Sequence, residues 1–241
     1  MKLPVRLRSV LAFARKEIGA VVALLVLAVA TNVFLSVAGE VREQETGSID
    51  RRVLIALRVP GHPGTPIGPA WLVDAARDFT SLGSITVLAV IVLIVTGLVL
   101  SLRQKREALV LLAAAGGGLA LTGGLKDLFG RARPEAIYRA VEVTRSSFPS
   151  GHAMLSAVVY LTLGAICAGY APRPLVKTYI MSIAMTLTLL VGVTRIYLGV
   201  HWMTDVLAGW SVGAAWATAC WLGAWFFEGR WRSRPGSGPV E

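Results

Sequence analysis

Cysteine is almost absent from this chain. Only two of its 241 residues are cysteine, and Cys167 and Cys220 both lie inside long apolar runs. A disulfide framework needs more cysteines, placed in loops, and a structural zinc site needs about four clustered ligands, so the sequence implies neither. Charge is scarce too. Asp, Glu, Lys and Arg make up 16% of the residues, while 55% are hydrophobic. A soluble globular domain averages about 25% charged residues, so that class is excluded. Acidic residues are fewer than basic ones, leaving a formal net charge of +10. The basic residues are dispersed rather than gathered in one block, which argues against a nucleic-acid partner. Internal repeats and coiled-coil heptads are also missing.

Long apolar runs are plentiful. A bilayer span needs about 20 mostly apolar residues, and six runs qualify: 18–38, 81–102, 107–125, 151–171, 178–198 and 203–227. The run 107–125 is rich in Ala and Gly, which allow close helix contact in membranes. The first run exceeds the roughly 7–15 apolar residues of a signal peptide and has no A-x-A site after it, so it reads as an uncleaved span. The expected fold class is all-α: a polytopic membrane protein of six transmembrane helices, with short interfacial helices between the first and second. One domain covers 1–241.

Residues 1–17 mix basic and apolar residues, and read either as a surface-lying segment or as a plain charged flank. Residues 39–80 hold two short helical stretches, "RRVLIALRV" and "AWLVDAARDF", split by the turn "PGHPGTPIGP". His62, in that turn, reads as a solvated loop residue. The tail 230–241 reads as disordered.

Six alternating spans place the N-terminus, the 103–106 and 172–177 turns and the C-terminus on one side, with 13 of the 24 Lys and Arg residues. The rule that basic residues stay inside, helped by five N-terminal charges, puts both termini in the cytoplasm. The basic excess then also attracts anionic head groups.

Three polar clusters interrupt the apolar pattern: "KDLFGRARP" from Lys126, "PSGH" from Pro149 and "TRIYLGVHWMTD" from Thr194. The ends of odd spans and the starts of even spans reach one face. Lys126, Arg133, Ser150, His152, Arg195, His201 and Asp205 are therefore expected in one layer, on the outer face by the charge reading. Taken singly, a border Lys or Arg reads as a snorkelling anchor and "SG" as a helix cap. Their meeting at one depth reverses that reading, because ionisable groups bordering spans are functional candidates.

Lys126, Arg133 and Arg195 are donors suited to an anion with several oxygens. Ser150 as N-cap presents the positive end of a helix, and Gly151 admits close backbone approach. Phosphate fits this set better than carboxylate. His201 and Asp205, four residues apart, share a helix face. Asp205 can orient the ring while the other nitrogen attacks, and His152 is placed to protonate a leaving oxygen. Arg131 is a candidate helper outside these sets.

"K-x6-RP" (Lys126, Arg133, Pro134), "PSGH" (Pro149–His152) and "TR-x5-H-x3-D" (Thr194, Arg195, His201, Asp205) resemble the three signature motifs of the type 2 phosphatidic acid phosphatase superfamily. Thr194 stands where that family usually has Ser, which keeps the hydroxyl. The resemblance implies a six-helix membrane phosphatase that works through a phosphohistidine without metal or other cofactor. It implies His201 as nucleophile, His152 as acid and Asp205 as orienter, and it assigns Lys126, Arg133, Ser150, Gly151 and Arg195 to the phosphate.

The expected partner is thus a lipid phosphate or diphosphate anchored at head-group level. Undecaprenyl diphosphate, phosphatidic acid, phosphatidylglycerophosphate and lipid A phosphates all qualify. The first is favoured by analogy with its outer-face recycling. Transfer of the phosphoryl group to another lipid, and a non-catalytic lipid transporter, are the alternative readings. The transporter leaves the His201–Asp205 pair without a task.

Overall fold

The computed structural model describes residues 5–141 and 145–232, with side chains described from 17 to 227. Most of the expected tail 230–241 lies outside that range, as do the side chains of residues 1–16. Eight α-helices dominate. They are α1 (Val5–Arg42), α2 (Gly47–Ala56), α3 (Ala70–Ser81), α4 (Ile85–Ser101), α5 (Lys105–Phe129), α6 (Gly151–Tyr170), α7 (Pro174–Tyr197) and α8 (Met203–Arg232). Among the described residues, five helices are long and apolar enough to span a membrane: α1, α5, α6, α7 and α8. Large apolar residues such as Val29, Leu109 and Leu175 point outward from them. Water would oppose that exposure, but lipid tails accept it.

The expected span 81–102 falls on α4, whose start is set by a break after α3. Helix α4 has 17 residues, a rise of about 25 Å, shorter than the roughly 30 Å hydrocarbon core. It joins α3 through a break at Leu82–Ser84 bent by 47°, and the pair makes a sixth span only if taken together. Ser84 accepts the N–H of Val87 at 3.3 Å and so starts a new helix there. Gly83 fits the break because a Cβ on it would stand 3.2 Å from the carbonyl oxygen of His152.

The segment 39–80 also differs in detail. Its first helix, α2, starts and ends earlier than the stretch read from sequence. The Pro/Gly turn carries a small antiparallel hairpin of β1 (Arg58–Val59) and β2 (His62–Pro66). Gly61, at φ +79°, takes the left-handed conformation that tight hairpins demand. His62 is exposed, as expected for a loop residue.

Helix α6 is the axis of the bundle. Residues Ala153 to Tyr160 are all buried, enclosed by α4, α5, α7 and α8. Helix α8 approaches it closely through glycines: a Cβ on Gly213 would lie 2.5 Å from the carbonyl oxygen of Met154 and 2.6 Å from Ala157. The α8 tryptophans reach the other way. Trp210 donates to the carbonyl of Thr188 in α7, and Trp216 to that of Ala114 in α5, each at 3.0 Å. Small residues thus set the spacing, as expected where helix association rests on packing.

Candidate active site

Helices α5 and α7 end, and α6 and α8 begin, at the same end of the bundle. Helix α5 stops because Gly130 adopts φ +56° and caps it, donating its N–H to the carbonyl of Lys126. The chain then runs back over the bundle end through Arg131, Arg133 and the buried Pro134. The entry to α6 is anchored by Phe148, wholly buried, whose ring lies 4.7 Å from that of Phe129 and 6.2 Å from that of Phe34. This anchor delivers Pro149–His152 to the same end. Helix α8 is tied there by the N–H of Ser150, which donates to the carbonyl of Asp205 at 2.9 Å.

The structure brings the residues expected to share a layer together. Lys126, Arg133, Gly151, His152, Arg195 and His201 line one pocket of about 200 Å³. Ser150, which precedes the pocket-lining Gly151, is the buried N-cap residue of α6, but its hydroxyl makes no capping bond. That hydroxyl is buried and lacks a partner, as does Nε of Arg195. Buried polar groups rarely stay unpaired, so a hydroxyl and a guanidinium N–H left over beside one pocket mark where a ligand with acceptor oxygens would bond. A Cβ on Gly151 would approach the methyl of Thr122 to 3.2 Å and Cε of Lys126 to 3.6 Å, so the backbone there is open because it is glycine.

The cations are held from behind. Lys126 Nζ donates to the carbonyl of Ser146 at 2.6 Å. Arg133 donates to the carbonyls of Arg145 at 2.5 Å and Val200 at 2.7 Å. Arg195 Nη1 donates to Thr80 Oγ1 at 3.0 Å, which leaves its Nε free.

His201, 2% exposed, is clasped on both ring nitrogens. Nδ1 lies 3.3 Å from Asp205 Oδ2 and Nε2 lies 3.2 Å from Arg133 Nη1. Since Arg133 can only donate, the pairing assigns the proton to Nδ1 and a lone pair to Nε2. Burial, then the positive charges of Arg133, Arg195 and Lys126, hold the imidazole well below its ordinary pKa. The neutral form of the ring is favoured, with Nε2 facing Arg133. Burial likewise lowers the pKa of Arg133, though from so high a value that it remains charged.

Asp205 is wholly buried, and its Oδ2 also accepts the N–H of Trp202 at 3.0 Å. Behind it stands Arg131, whose Nη1 donates to Asp205 Oδ1 at 2.6 Å. The sequence reading missed four residues around this site. Arg145 lines the pocket, Thr80 holds Arg195, Asp50 pairs with Arg131 at 2.7 Å, and Arg58 donates to the carbonyls of Tyr138 and Tyr197. Three of the four come from 39–80, and Arg145 precedes the second motif. No periodicity or motif spacing marks any of them.

A second groove, of about 240 Å³, runs between α4, α5 and α6 and is lined by apolar side chains alone. It shares Ile85, Leu119 and Leu155 with the cationic pocket. A polar head and an apolar tail would therefore find adjoining sites.

Residues 107–228 match the sequence profile of the PAP2 superfamily. The chain is 33% identical over 144 residues to the phosphatidylglycerophosphatase B of Bacillus subtilis (strain 168), covering 59% of this chain and 70% of that protein. It is 34% identical over 71 residues to an undecaprenyl-diphosphatase of Sulfolobus acidocaldarius, 30% of each chain. Among solved structures, it superposes on the crystal structure of a transmembrane PAP2 type phosphatidylglycerolphosphate phosphatase from Bacillus subtilis. The TM-score is 0.76 at 29% identity, over 86% of this chain and 98% of that one.

Proposed function

This chain belongs to the PAP2 superfamily, and on that premise we propose that it is a membrane phosphatase removing phosphate from a lipid phosphate or diphosphate through a phosphohistidine. The observation that carries the reading is the buried His201, its Nε2 beside Arg133 in the pocket that Lys126 and Arg195 also line and its Nδ1 on a buried carboxylate.

The substrate phosphate takes the donors of Lys126, Arg133 and Arg195, the Ser150 hydroxyl and the N-terminus of α6 at Gly151. His201 Nε2 attacks phosphorus. The new P–N bond forms as the P–O bond to the lipid breaks, and His152 supplies the proton to the departing oxygen. Three cations offset the charge on the equatorial oxygens, the main task in phosphoryl transfer. Asp205 holds the ring and balances the positive charge it acquires. Water then attacks the phosphohistidine, giving a proton to His152; inorganic phosphate leaves and both histidines are restored. The cations perform the charge neutralisation that a metal ion would otherwise provide, so the reaction runs without one.

Support for a lipid substrate comes from the apolar groove adjoining the pocket. Phosphatidylglycerophosphate now stands first among the candidates, because the relatives that share most of this chain carry that name. Undecaprenyl diphosphate stands second, on a shorter similarity.

The test is phosphate release by purified protein in detergent over a panel of phosphatidylglycerophosphate, undecaprenyl diphosphate, phosphatidic acid and a lipid A phosphate, with and without EDTA. Release that persists in EDTA and is greatest on phosphatidylglycerophosphate is expected. A requirement for Mg²⁺ overturns the metal-free scheme. Phosphate appearing on an acceptor lipid rather than in solution makes the protein a transferase, and no turnover of any lipid leaves a transporter.

A further inference from the structure

Behind the His201–Asp205 pair lies a charge network that the scheme above does not use. Asp50, in α2, is 1% exposed, and both its carboxylate oxygens are engaged. Oδ1 accepts the N–H of Thr204 at 3.0 Å, and Oδ2 accepts the Thr204 hydroxyl at 2.6 Å and Arg131 Nη2 at 2.7 Å. Arg131 spreads its donors over four acceptors. Nη2 also reaches Thr46 Oγ1 at 2.9 Å, while Nη1 reaches Thr204 Oγ1 at 2.8 Å and Asp205 Oδ1 at 2.6 Å. Its guanidinium lies 5.8 Å from the centre of the Trp202 ring.

Buried carboxylates are costly unless paired and hydrogen-bonded. One arginine joined to Asp205 would satisfy the pairing alone. Here the same guanidinium bridges two buried carboxylates, and the second one also holds the first turn of α8, the turn that carries Asp205. Because Arg131 fixes Oδ1 of Asp205, the carboxylate cannot rotate, and Oδ2 is left facing Trp202 N–H and His201 Nδ1. Neither Asp50 nor Arg131 lines the cationic pocket. They border a separate crevice of about 810 Å³ between the ends of α1 and α5.

We propose that Asp50 and Arg131 are positioning residues for the nucleophile: together they lock the Asp205 carboxylate so that it holds His201 with Nε2 aimed at the phosphate. The proposal rests on His201 being the nucleophile. It gives the segment 39–80 a task, because α2 lies outside the part of the chain that matches the PAP2 profile yet supplies one end of the network.

Two anions separate positioning from binding. Inorganic phosphate needs only the cations, whereas vanadate mimics five-coordinate phosphorus when His201 Nε2 becomes an apical ligand, and transition-state analogues draw on the same alignment as the reaction. The dissociation constant of each anion is measured by calorimetry on detergent-purified wild type, Asp50→Asn, Arg131→Met, the double variant and His201→Ala. A smaller folded fraction raises both apparent dissociation constants by the same factor, so general loss of structure does not imitate a loss confined to vanadate.

Asp50→Asn and Arg131→Met should each weaken vanadate by about tenfold, a mid-range coupling for residues in one network. Phosphate should stay within about twofold, the tolerance to which independent sites add. The double variant should be no weaker than Arg131→Met alone by that same margin of about twofold. If Arg131→Met does not fold, the nearly isosteric Asp50→Asn decides. Unchanged vanadate affinity, equal losses for both anions, or single effects that multiply in the double variant overturn the proposal. The underlying reading is tested apart: if His201→Ala keeps its vanadate affinity, the nucleophile assignment fails. If His201→Ala loses it while Asp50→Asn does not, only the positioning role fails.

Discussion

His201 and His152 border one pocket, yet the proposed chemistry asks different things of them, so they should fail differently. His201→Ala removes the attacking atom. No phosphoenzyme should form on any substrate, and no burst of leaving group should appear. His152→Ala removes a proton donor, worth about 10²–10⁴-fold, and its effect depends on how basic the leaving oxygen is. The variant should be crippled on an alkyl phosphate and still release a rapid burst of p-nitrophenol from p-nitrophenyl phosphate. A burst from His201→Ala instead would exchange the two roles. Acid gives a further test of His201. Burial and neighbouring cations lower the His201 pKa, so below about pH 6.5 the unfolded chain takes up a proton that the folded ring refuses. This group therefore subtracts from stability as pH falls from there, while the folded ring stays neutral. In kcat/KM on an aryl phosphate, the limb due to His201 should lie well below pH 6.5. A limb at or above 6.5 that His201 accounts for would contradict the burial seen here.

At the scale of elements, the site depends on how closely α8 approaches α6, and Gly213 tests that. A side chain there meets the α6 backbone at 2.5 Å. Gly213→Leu should cost about 1–3 kcal/mol by overpacking, or roughly 2–4 °C of melting temperature per kcal/mol for a chain of this size. Gly223→Leu, on the same helix with nothing within 4 Å, should leave the melting temperature in detergent almost unchanged. Equal losses in the two would mean that the close approach of α8 to α6 is not what Gly213 secures, since helix propensity alone would favour Leu at both positions. These contacts also show what a sequence can reveal. Apolar run length located α1 and α4 to α8, because a bilayer imposes length and composition directly on each segment. It ended the short helix "AWLVDAARDF" at 79 and began the next run at 81, a few residues ahead of the break at Leu82–Ser84, where "SLGS" carries the Gly and Ser signals of a helix stop and restart. The alternation of spans brought Lys126, Arg133, Ser150, His152, Arg195, His201 and Asp205 to one bundle end without any knowledge of packing. It could not find Asp50, which is 154 positions from Thr204. A lone aspartate in the first turn of a short helix reads as an ordinary response to the helix dipole, and only the folded chain shows it buried against another helix.

Over the whole molecule, the orientation in the membrane decides which phosphates the pocket can meet. The charge count alone is narrow, 13 basic residues against 11 on the two sides, but the structure makes the two sets unlike. On the side of the site, Lys126, Arg131, Arg133, Arg58 and Arg195 are occupied by carbonyls, hydroxyls or buried aspartates. They belong to the site rather than to the membrane surface, so they weigh little in setting topology. On the opposite side, Arg103 and Lys105 are exposed in the turn between α4 and α5, where the rule that basic residues stay inside applies directly. Setting the site's own cations aside therefore favours the orientation we propose, with both termini in the cytoplasm and the pocket on the outer face. Cysteine introduced at Glu135, exposed beside the site, should react with a membrane-impermeant maleimide on intact cells. One introduced at Lys105, at the far end of α5, should react only after the cells are opened. Both belong in a background lacking Cys167 and Cys220, since Cys167 is exposed. The reverse pattern would place the pocket in the cytoplasm, where undecaprenyl diphosphate released on the outer leaflet could not reach it, and the substrate would have to be a phosphate of the inner leaflet.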